Sequence, residues 1–245
     1  MTAQQAPWAD GVLVTTPTMT AIMKALGLDC LSPSWDGWVD DSVASGWSMS
    51  TATAIYAGST GTGHQETRYP VGAHLSCTDA GVTKYGWVLA ASYDGGAQNA
   101  TAVNAIWGLA NGTATTLSGG LLTDPRISYM ATPYGFPTYF NFAASPVGIS
   151  PITTNVAQFA INGRQCTVWF NFAGTGSTTG RTCTAPVATA SSTPLAIIST
   201  NNAGTNADGI AAVSASTITF YYNASYAGWT ASGATQVQGT LTYPI

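Results

Sequence analysis

The sequence predicts an all-β protein: two antiparallel β domains, each a sandwich or a barrel, that follow a short N-terminal segment with one helix. Apolar and polar residues alternate with period two in several segments, as they do in half-buried strands. The 245 residues include 27 Gly and 12 Pro, which mark frequent turns. Only 7% of the residues are charged, against roughly 25% in a typical domain. The Thr-, Ser- and Asn-rich remainder favours strands over long helices.

The predicted N-terminal segment, residues 1–34, carries the single helical signal. Thr16 can cap a helix, Pro17 suits its first position and Gly27 suits its end. A helix this short is not stable alone in water, so it must dock on its own domain, on sister copies or on a larger assembly. We expect the anchoring contacts to come from the apolar residues on one face of this helix: Met19, Ile22, Met23 and Leu26.

The first β domain is predicted over residues 35–110. Segments 47–56 and 84–93 are rich in apolar and aromatic residues, and the second ends at the turn signal Asp94-Gly-Gly. The neutral stretch from Ala110 to Gly120 has the composition of a domain boundary, and we predict a linker over residues 111–124.

The C-terminal β-sandwich domain is predicted over residues 125–245, where alternation is clearest. It recurs in segments 166–172, 217–222 and 236–243, which are separated by Gly-, Asn- and Ser-rich turns. Period-two alternation indicates antiparallel sheets. The predicted inward residues of the first segment are Cys166, Val168, Phe170 and Phe172.

The charge balance excludes several partners. Six basic and ten acidic residues give a net charge of −4, so the clustered Lys and Arg that nucleic acid or an anionic membrane requires are missing. No run approaches the ~20 apolar residues of a spanning helix, which predicts no membrane insertion. Residues 1–10 show no signal-peptide pattern, which predicts assembly in a cytoplasm.

The four cysteines predict no metal site. Cys30, Cys77, Cys166 and Cys183 have no Cys-x-x-Cys spacing. Cys166 and Cys183 flank a turn-rich stretch, so they could face each other across a hairpin, either as a disulfide or as a pair of thiols. In a reducing compartment, buried free thiols are the more common outcome.

One acidic cluster could serve catalysis. Asp36, Asp40 and Asp41 lie beside Trp35 and Trp38, and a glycosidase needs two carboxylates near aromatic rings. Adjacent Asp40 and Asp41 would point to opposite faces of a strand, so one of them at most could act with Asp36. A solvated loop at the entry of the first domain is the more common setting for such residues, and we predict no catalytic residue here.

The two histidines give no stronger signal. His64 and His74, with Glu66 and Asp79 as candidate neighbours, lack metal-ligand spacing. No Gly-x-Ser-x-Gly motif indicates a serine nucleophile. We therefore predict neither a metal nor a cofactor.

Aromatic residues crowd near the C-terminus and could contact a receptor. Aromatic rings stack on sugars, and a neutral glycan suits a chain with so few charges. Contacts between subunits, or core positions for some of these rings, are the alternatives. The residues that we predict for this role are Tyr221, Tyr226 and Trp229.

Two sets of motifs resemble modules of tailed-phage and prophage structural proteins. The first set is Trp38-Val-Asp-Asp, Gly46-Trp-Ser-Met-Ser, Tyr69-Pro-Val-Gly and Lys84-Tyr-Gly-Trp-Val. The second set includes Pro133-Tyr-Gly-Phe-Pro and Asn162-Gly-Arg-Gln-Cys, followed by a Gly-Thr-Gly-Ser turn at 174–177. Each motif is short, but their order along the chain is shared, and together they cover about residues 35 to 245.

The resemblance implies a virion appendage without a catalytic motif. Such proteins are commonly trimeric, with an N-terminal segment that grips the particle and β domains that project outward. We therefore expect a tail fibre or tail-tip protein that attaches the virion to its host, with other virion proteins and a host-surface glycan as further partners. A head fibre or capsid decoration protein is the alternative, and a glycan-degrading appendage enzyme is a third.

Overall fold

The computed structural model of the chain describes residues 36–41, 47–57, 64–96, 98–119, 121–191 and 195–245. The predicted helix and the anchoring residues Met19, Ile22, Met23 and Leu26 lie outside these described residues. Within them, the all-β prediction is confirmed: the structure consists of two β domains, a closed six-strand barrel and a curled half-barrel sheet. We call them the barrel and the curled sheet.

The first eight strands form one antiparallel sheet, and a single turn of 3-10 helix, Glu66–Arg68, precedes the fourth strand. The strands are β1 (Val39–Asp40), β2 (Trp47–Met49), β3 (Ala54–Ala57), β4 (His74–Asp79), β5 (Val82–Asp94), β6 (Ala100–Gly108), β7 (Ala114–Thr115) and β8 (Leu121–Ser128).

The barrel closes because β8 pairs with two strands that are far apart in sequence. The order β8-β2-β3-β6-β5-β4 returns to β8 through the pairs between Leu75 and Ile127 and between Ser76 and Arg126. Closure removes the unpaired strand edges that an open sheet exposes. The barrel interior is filled by large apolar side chains, chiefly Trp47, Ile55, Leu75, Val88, Val103, Trp107, Leu122 and Ile127.

The predicted linker at 111–124 is wrong, because most of the residues described in this range belong to the barrel. β7 pairs with β6, and β8 pairs with β1, β2 and β4. Leu117 and Leu122 are buried in the barrel core. The polar run Asp124-Pro-Arg126 interrupts the alternation within β8, so this strand does not stand out in the sequence.

The remaining eight strands form the curled sheet. They are β9 (Phe140–Asn141), β10 (Ile149–Asn162), β11 (Gln165–Gly176), β12 (Arg181–Thr184), β13 (Leu195–Asn202), β14 (Thr205–Ser214), β15 (Thr217–Tyr221) and β16 (Ala234–Pro244). Their order is β12-β15-β14-β13-β16-β11-β10-β9, and every pair is antiparallel. The predicted inward residues are all buried, namely Cys166, Val168, Phe170 and Phe172.

The two domains share one aromatic contact, which we call the seam and define by Trp87, Phe136, Phe140 and Phe159. Trp87 lies on the outer face of β5, with its ring centroid 4.4 Å from that of Phe140 and 4.9 Å from that of Phe136. Its ring also approaches Phe159 of the curled sheet at 5.7 Å. Gly108 allows this packing, because a Cβ there would lie 2.7 Å from the Phe140 ring. The barrel and the curled sheet therefore bury apolar surface against each other.

His74 is a titratable side chain that contacts the seam rings directly. Its ring packs edge-on against Phe136 at 4.3 Å, and its Nδ1 has no hydrogen-bond partner in the described part of the chain. Burial lowers the pKa of His74 to about 4. The imidazole is therefore neutral at neutral pH.

We expect the free energy of unfolding to fall as the pH drops from about 6.5 to about 4. In this window the unfolded chain binds a proton at His74 whereas the folded chain does not, so acid favours the unfolded state. The difference between a pKa of 6.5 and one of about 4 corresponds to roughly 3 kcal/mol. Urea titrations at a series of pH values measure this slope.

The variant His74→Phe is the control for this dependence, since it removes the titrating group and keeps a ring against Phe136. Its free energy of unfolding should change little between pH 6.5 and 4.5. A slope as steep as that of the unmodified chain would assign the acid sensitivity to another group.

Candidate functional site

A groove crosses the outer face of the barrel over strands β5, β4, β8 and β1, and we call it the β4–β8 groove. Its cavity volume is about 400 Å³. Three kinds of side chain line it: the charged Asp36, Asp124 and Arg126, the aromatic Trp38, Tyr85 and Tyr134, and the hydroxyl-bearing Ser76, Thr78 and Thr83.

Strand register explains why these side chains meet. Ser76 pairs with Tyr85 on one side and with Arg126 on the other, and Arg126 pairs in turn with Asp40. Residues that are directly opposite in neighbouring strands share a face of the sheet. Residues from four strands thus form one row on the outside of the barrel.

Arg126 provides the cationic group of the groove. Its guanidinium lies 3.8 Å from the Asp36 carboxylate and 3.7 Å from the Asp40 carboxylate. Both distances exceed that of a hydrogen bond, and the Arg126 side chain is 44% exposed. Such solvated pairs are weak, so the guanidinium N–H groups can turn toward a ligand at little cost.

Asp124 stands in an unusual backbone position. Its φ is +49°, in the left-handed region that non-glycine residues rarely adopt. The register between β4 and β8 shifts here, between Ser76 and Thr78, which indicates a β-bulge. Bulges and strained residues concentrate at functional sites. The Thr78 hydroxyl donates a long bond of 3.5 Å to the Asp124 carboxylate.

Tyr134 forms the exposed aromatic wall of the groove. It is 72% exposed and belongs to residues 129–139, the connecting segment between β8 and β9. Two hydrogen bonds tie this segment to the start of the barrel: the Tyr134 amide donates to the Asp36 carbonyl at 2.8 Å, and the Trp38 Nε1–H donates to the Tyr134 carbonyl at 2.8 Å. The wall is therefore held by main-chain contacts that a side-chain substitution would leave intact.

The acidic cluster of the sequence analysis divides between the groove and the core. Asp36 lines the groove and Asp40 is solvated beside it.

Asp41 points into the barrel, where its carboxylate accepts hydrogen bonds from Trp47 Nε1 at 2.8 Å and from Arg68 at 2.7 Å. Tyr69 also donates its hydroxyl to Asp41, and burial raises the pKa of that phenol. As predicted, Asp40 and Asp41 face opposite sides of the strand.

The structure places His64 beside its candidate neighbour Glu66, but it does not gather the two histidines, Glu66 and Asp79 into one cluster. His64 contacts Glu66 at 2.9 Å and stacks on Tyr93, whereas His74 packs against the seam. Asp79 binds the Lys84 ammonium at 2.5 Å inside the barrel. Within the described ranges, no three His, Cys, Asp or Glu side chains are grouped to hold a metal ion.

The C-terminal aromatic residues lie apart from the groove, and the prediction for Trp229 is wrong. Trp229 is 4% exposed, donates its Nε1–H to the Phe220 carbonyl at 2.8 Å and lies under the Arg181 guanidinium at 5.2 Å. A ring in the core cannot offer its face to a receptor. Tyr221 and Tyr226 pack edge-on at 4.8 Å, and Tyr226 is exposed.

Cys166 and Cys183 do not face each other across a hairpin. Cys166 lies on β11, which pairs with β10 and β16, whereas Cys183 lies on β12, which pairs with β15. Both are free, buried thiols. Burial raises the pKa of Cys166 to about 11 and that of Cys183 to about 12, so neither is a reactive thiolate at neutral pH.

Sequence reasoning missed Asp124, Arg126 and Tyr134 as site residues. The usable signal was the charge pattern: Asp124 and Arg126 are the only charged residues between Asp94 and Arg164. In a chain with so few charged residues, two of them on either side of one proline indicate a candidate functional site.

Comparisons of the chain with protein-family models, with curated proteins and with solved structures return no match. In the part of the chain that the structure describes, no helix has the length and hydropathy needed to cross a bilayer.

Because Asp124 adopts a left-handed backbone, we expect Asp124→Gly to keep or raise stability. Glycine removes the steric cost of this backbone, about 1 kcal/mol, while it adds chain entropy to the unfolded state. Urea denaturation measures the net change. A loss of more than about 1 kcal/mol would show that the carboxylate holds the bulge together and is needed for folding.

Proposed function

We propose that this chain is a virion appendage protein of the tailed-phage type that attaches the particle to its host by binding a surface glycan in the β4–β8 groove. The observation that carries the proposal is the composition of that groove. An exposed aromatic ring, a guanidinium and two carboxylates converge there in a chain with 7% charged residues. The proposal includes a homotrimer and an N-terminal segment, residues 1–34, that holds the particle.

The chemistry of the groove suits a sugar. One face of a pyranose ring is apolar and stacks on an aromatic ring such as Tyr134, which is amphipathic itself. The ring hydroxyls donate to carboxylates and accept from a guanidinium, and hydrogen bonds to charged groups are the stronger kind. Asp36, Asp124 and Arg126 supply both roles within one cavity.

The sign of the charges favours a neutral glycan. Two carboxylates and one guanidinium line the groove, and Asp40 lies beside the guanidinium. The local balance is thus negative, so a polyanionic ligand would be repelled. An uncharged oligosaccharide meets no such penalty.

The resemblance to phage structural modules supports the appendage setting. A β-rich protein with an uncharged Thr- and Asn-rich surface can contact copies of itself without burying unpaired charge, which is costly. A small groove on a rigid barrel suits the recognition of a glycan that many copies on one particle bind together, since linked weak sites gain avidity.

We expect Tyr134→Ala and Arg126→Ala each to lower the affinity for glycan at least ten-fold. Each variant removes one main contact and leaves the main-chain bonds of the groove in place. Binding to an immobilised array of neutral bacterial-surface oligosaccharides measures the change, with urea denaturation as a check on folding.

Tyr226→Ala is the matched control, since it removes an exposed tyrosine far from the groove, in the connection between β15 and β16. Its binding should equal that of the unmodified chain. An array on which the unmodified chain binds nothing, or an equal loss in the control, would contradict the groove as the glycan site. Release of reducing sugar by the unmodified chain, abolished by Asp36→Asn, would instead establish the glycan-degrading enzyme.

We expect deletion of residues 1–34 to leave a folded protein that no longer joins particles. Immunolabelling of intact particles made with each version measures incorporation, and the position of the label distinguishes a tail fibre from a head fibre or decoration protein. Undiminished incorporation would refute the anchoring role of the segment.

A further inference from the structure

We propose that the outer face of the curled sheet is the surface through which copies of this chain contact one another. We call it the Trp169 face and define it by Val156, Gln158, Trp169, Asn171, Ile197 and Gln238. This inference rests on the homo-oligomer of the proposed function and names the surface that forms it. It is independent of the β4–β8 groove, which lies on the barrel.

Strand register places these residues on one face. Trp169 of β11 pairs with Gln158 of β10 and with Thr240 of β16. One row further on, Asn171 pairs with Val156 and with Gln238. Ser199 of β13 pairs with Gln238, so Ile197, two residues earlier, projects on the same side. The face therefore extends over four adjacent strands.

The apolar side chains of this face are exposed although they lie on strands away from the sheet edges. Ile197 is 80% exposed, Val156 43% and Trp169 38%. β13, β16 and β11 each have a neighbour on both sides. A tryptophan and two branched aliphatic residues in solvent on one face indicate a binding surface.

The charge distribution favours a second copy as the occupant. Residues 129–245 contain only three charged side chains, Arg164, Arg181 and Asp208. Arg181 is buried, and Asp208, on β14 opposite Ser199, is the one charge that register places at the rim of the face. An acidic partner would find no complementary charge here and a basic partner would find only the Asp208 carboxylate, whereas an identical face of uncharged side chains brings little repulsion and little charge desolvation.

The polar groups of the face are complementary to themselves. Side-chain amides carry donors and acceptors together, so one amide can satisfy another. The structure already shows such pairs: Gln236 donates to Asn171 at 2.9 Å, and Gln158 donates to Asn141 at 3.0 Å. A row of amides and threonines on one copy can therefore bond to the same kind of row on the next.

The area of the face matches what a stable contact needs. β11 has 12 residues, which at about 3.3 Å per residue extend roughly 40 Å. Four strands about 4.8 Å apart are roughly 19 Å wide, so the outer surface of the four strands that carry the face covers roughly 760 Å². A stable interface buries about 800 Å² on each partner. The outer surface of these four strands is therefore about as large as one side of such an interface.

Sedimentation velocity of the full chain at micromolar concentration tests the inference. The unmodified chain should sediment as a multiple of its 25.1 kDa subunit. Ile197→Asp places a carboxylate in the contact and should shift at least ten-fold more protein to the monomer. Because Ile197 is 80% exposed, the substitution spares the core, and circular dichroism checks that the variant is folded.

Leu121→Asp is the matched control, since it places the same charge on an exposed strand residue of the barrel. It should leave the oligomer intact. A monomeric unmodified chain, or an Ile197→Asp oligomer as stable as that of the control, would overturn the inference.

Trp169→Ala separates this inference from the glycan proposal. It should lower the oligomer mass and leave oligosaccharide binding per subunit unchanged. Loss of oligosaccharide binding with an unchanged mass would make the face a sugar platform and overturn the inference. Failure of glycan binding at the β4–β8 groove would leave the sedimentation result standing.

Discussion

The packing of Trp87 between the barrel and the curled sheet is the contact on which the arrangement of the molecule depends. β5 uses both of its faces: Val88 fills the barrel interior, while Trp87 packs on Phe140 and Phe159 of the other domain. One strand thus belongs to two cores. The seam also positions the groove, because Phe136 packs on Trp87 and on Trp38 and lies two residues after Tyr134. The segment that carries the groove wall is thus held by contacts on both sides.

Several of the charged side chains of the barrel are buried in ion pairs and in hydrogen bonds to carboxylates. Asp79 accepts bonds from Lys84, from the Ser118 amide and hydroxyl and from the Gly119 amide. These partners compensate the cost of burying the charge, and they tie the chain before β8 to the β4–β5 hairpin. Among the described charges of the barrel, the pairs Asp41–Arg68 and Asp79–Lys84 stabilise its inside, whereas the groove outside it is lined by Asp36, Asp124 and Arg126.

The sequence predicted the fold class and most of the curled sheet, because local alternation carries that information. Phe170 and Phe172 point inward as their spacing requires. The sequence pattern did not predict that β8 belongs to the barrel. Closure of the barrel depends on pairs between residues far apart in the chain, such as Leu75 with Ile127. The groove was missed for the same reason: Ser76 and Arg126 are fifty residues apart and meet only through that pairing. Trp229 was misplaced because composition alone does not distinguish a surface ring from a core ring that covers an arginine.

The different charge content of the two domains suits two different roles: ligand binding by the barrel and contact between copies by the curled sheet. All three charged groups that line the groove lie within residues 36–126, whereas the curled sheet carries a single charge at the rim of its outer face. Ligand recognition by directed charge-assisted bonds needs charges that remain hydrated until the ligand arrives. Contact between copies is cheaper without them. The seam fixes one domain on the other. The chain can therefore present the charged groove to a ligand while the neutral face packs against sister copies. Each surface then has the composition that its own contact requires.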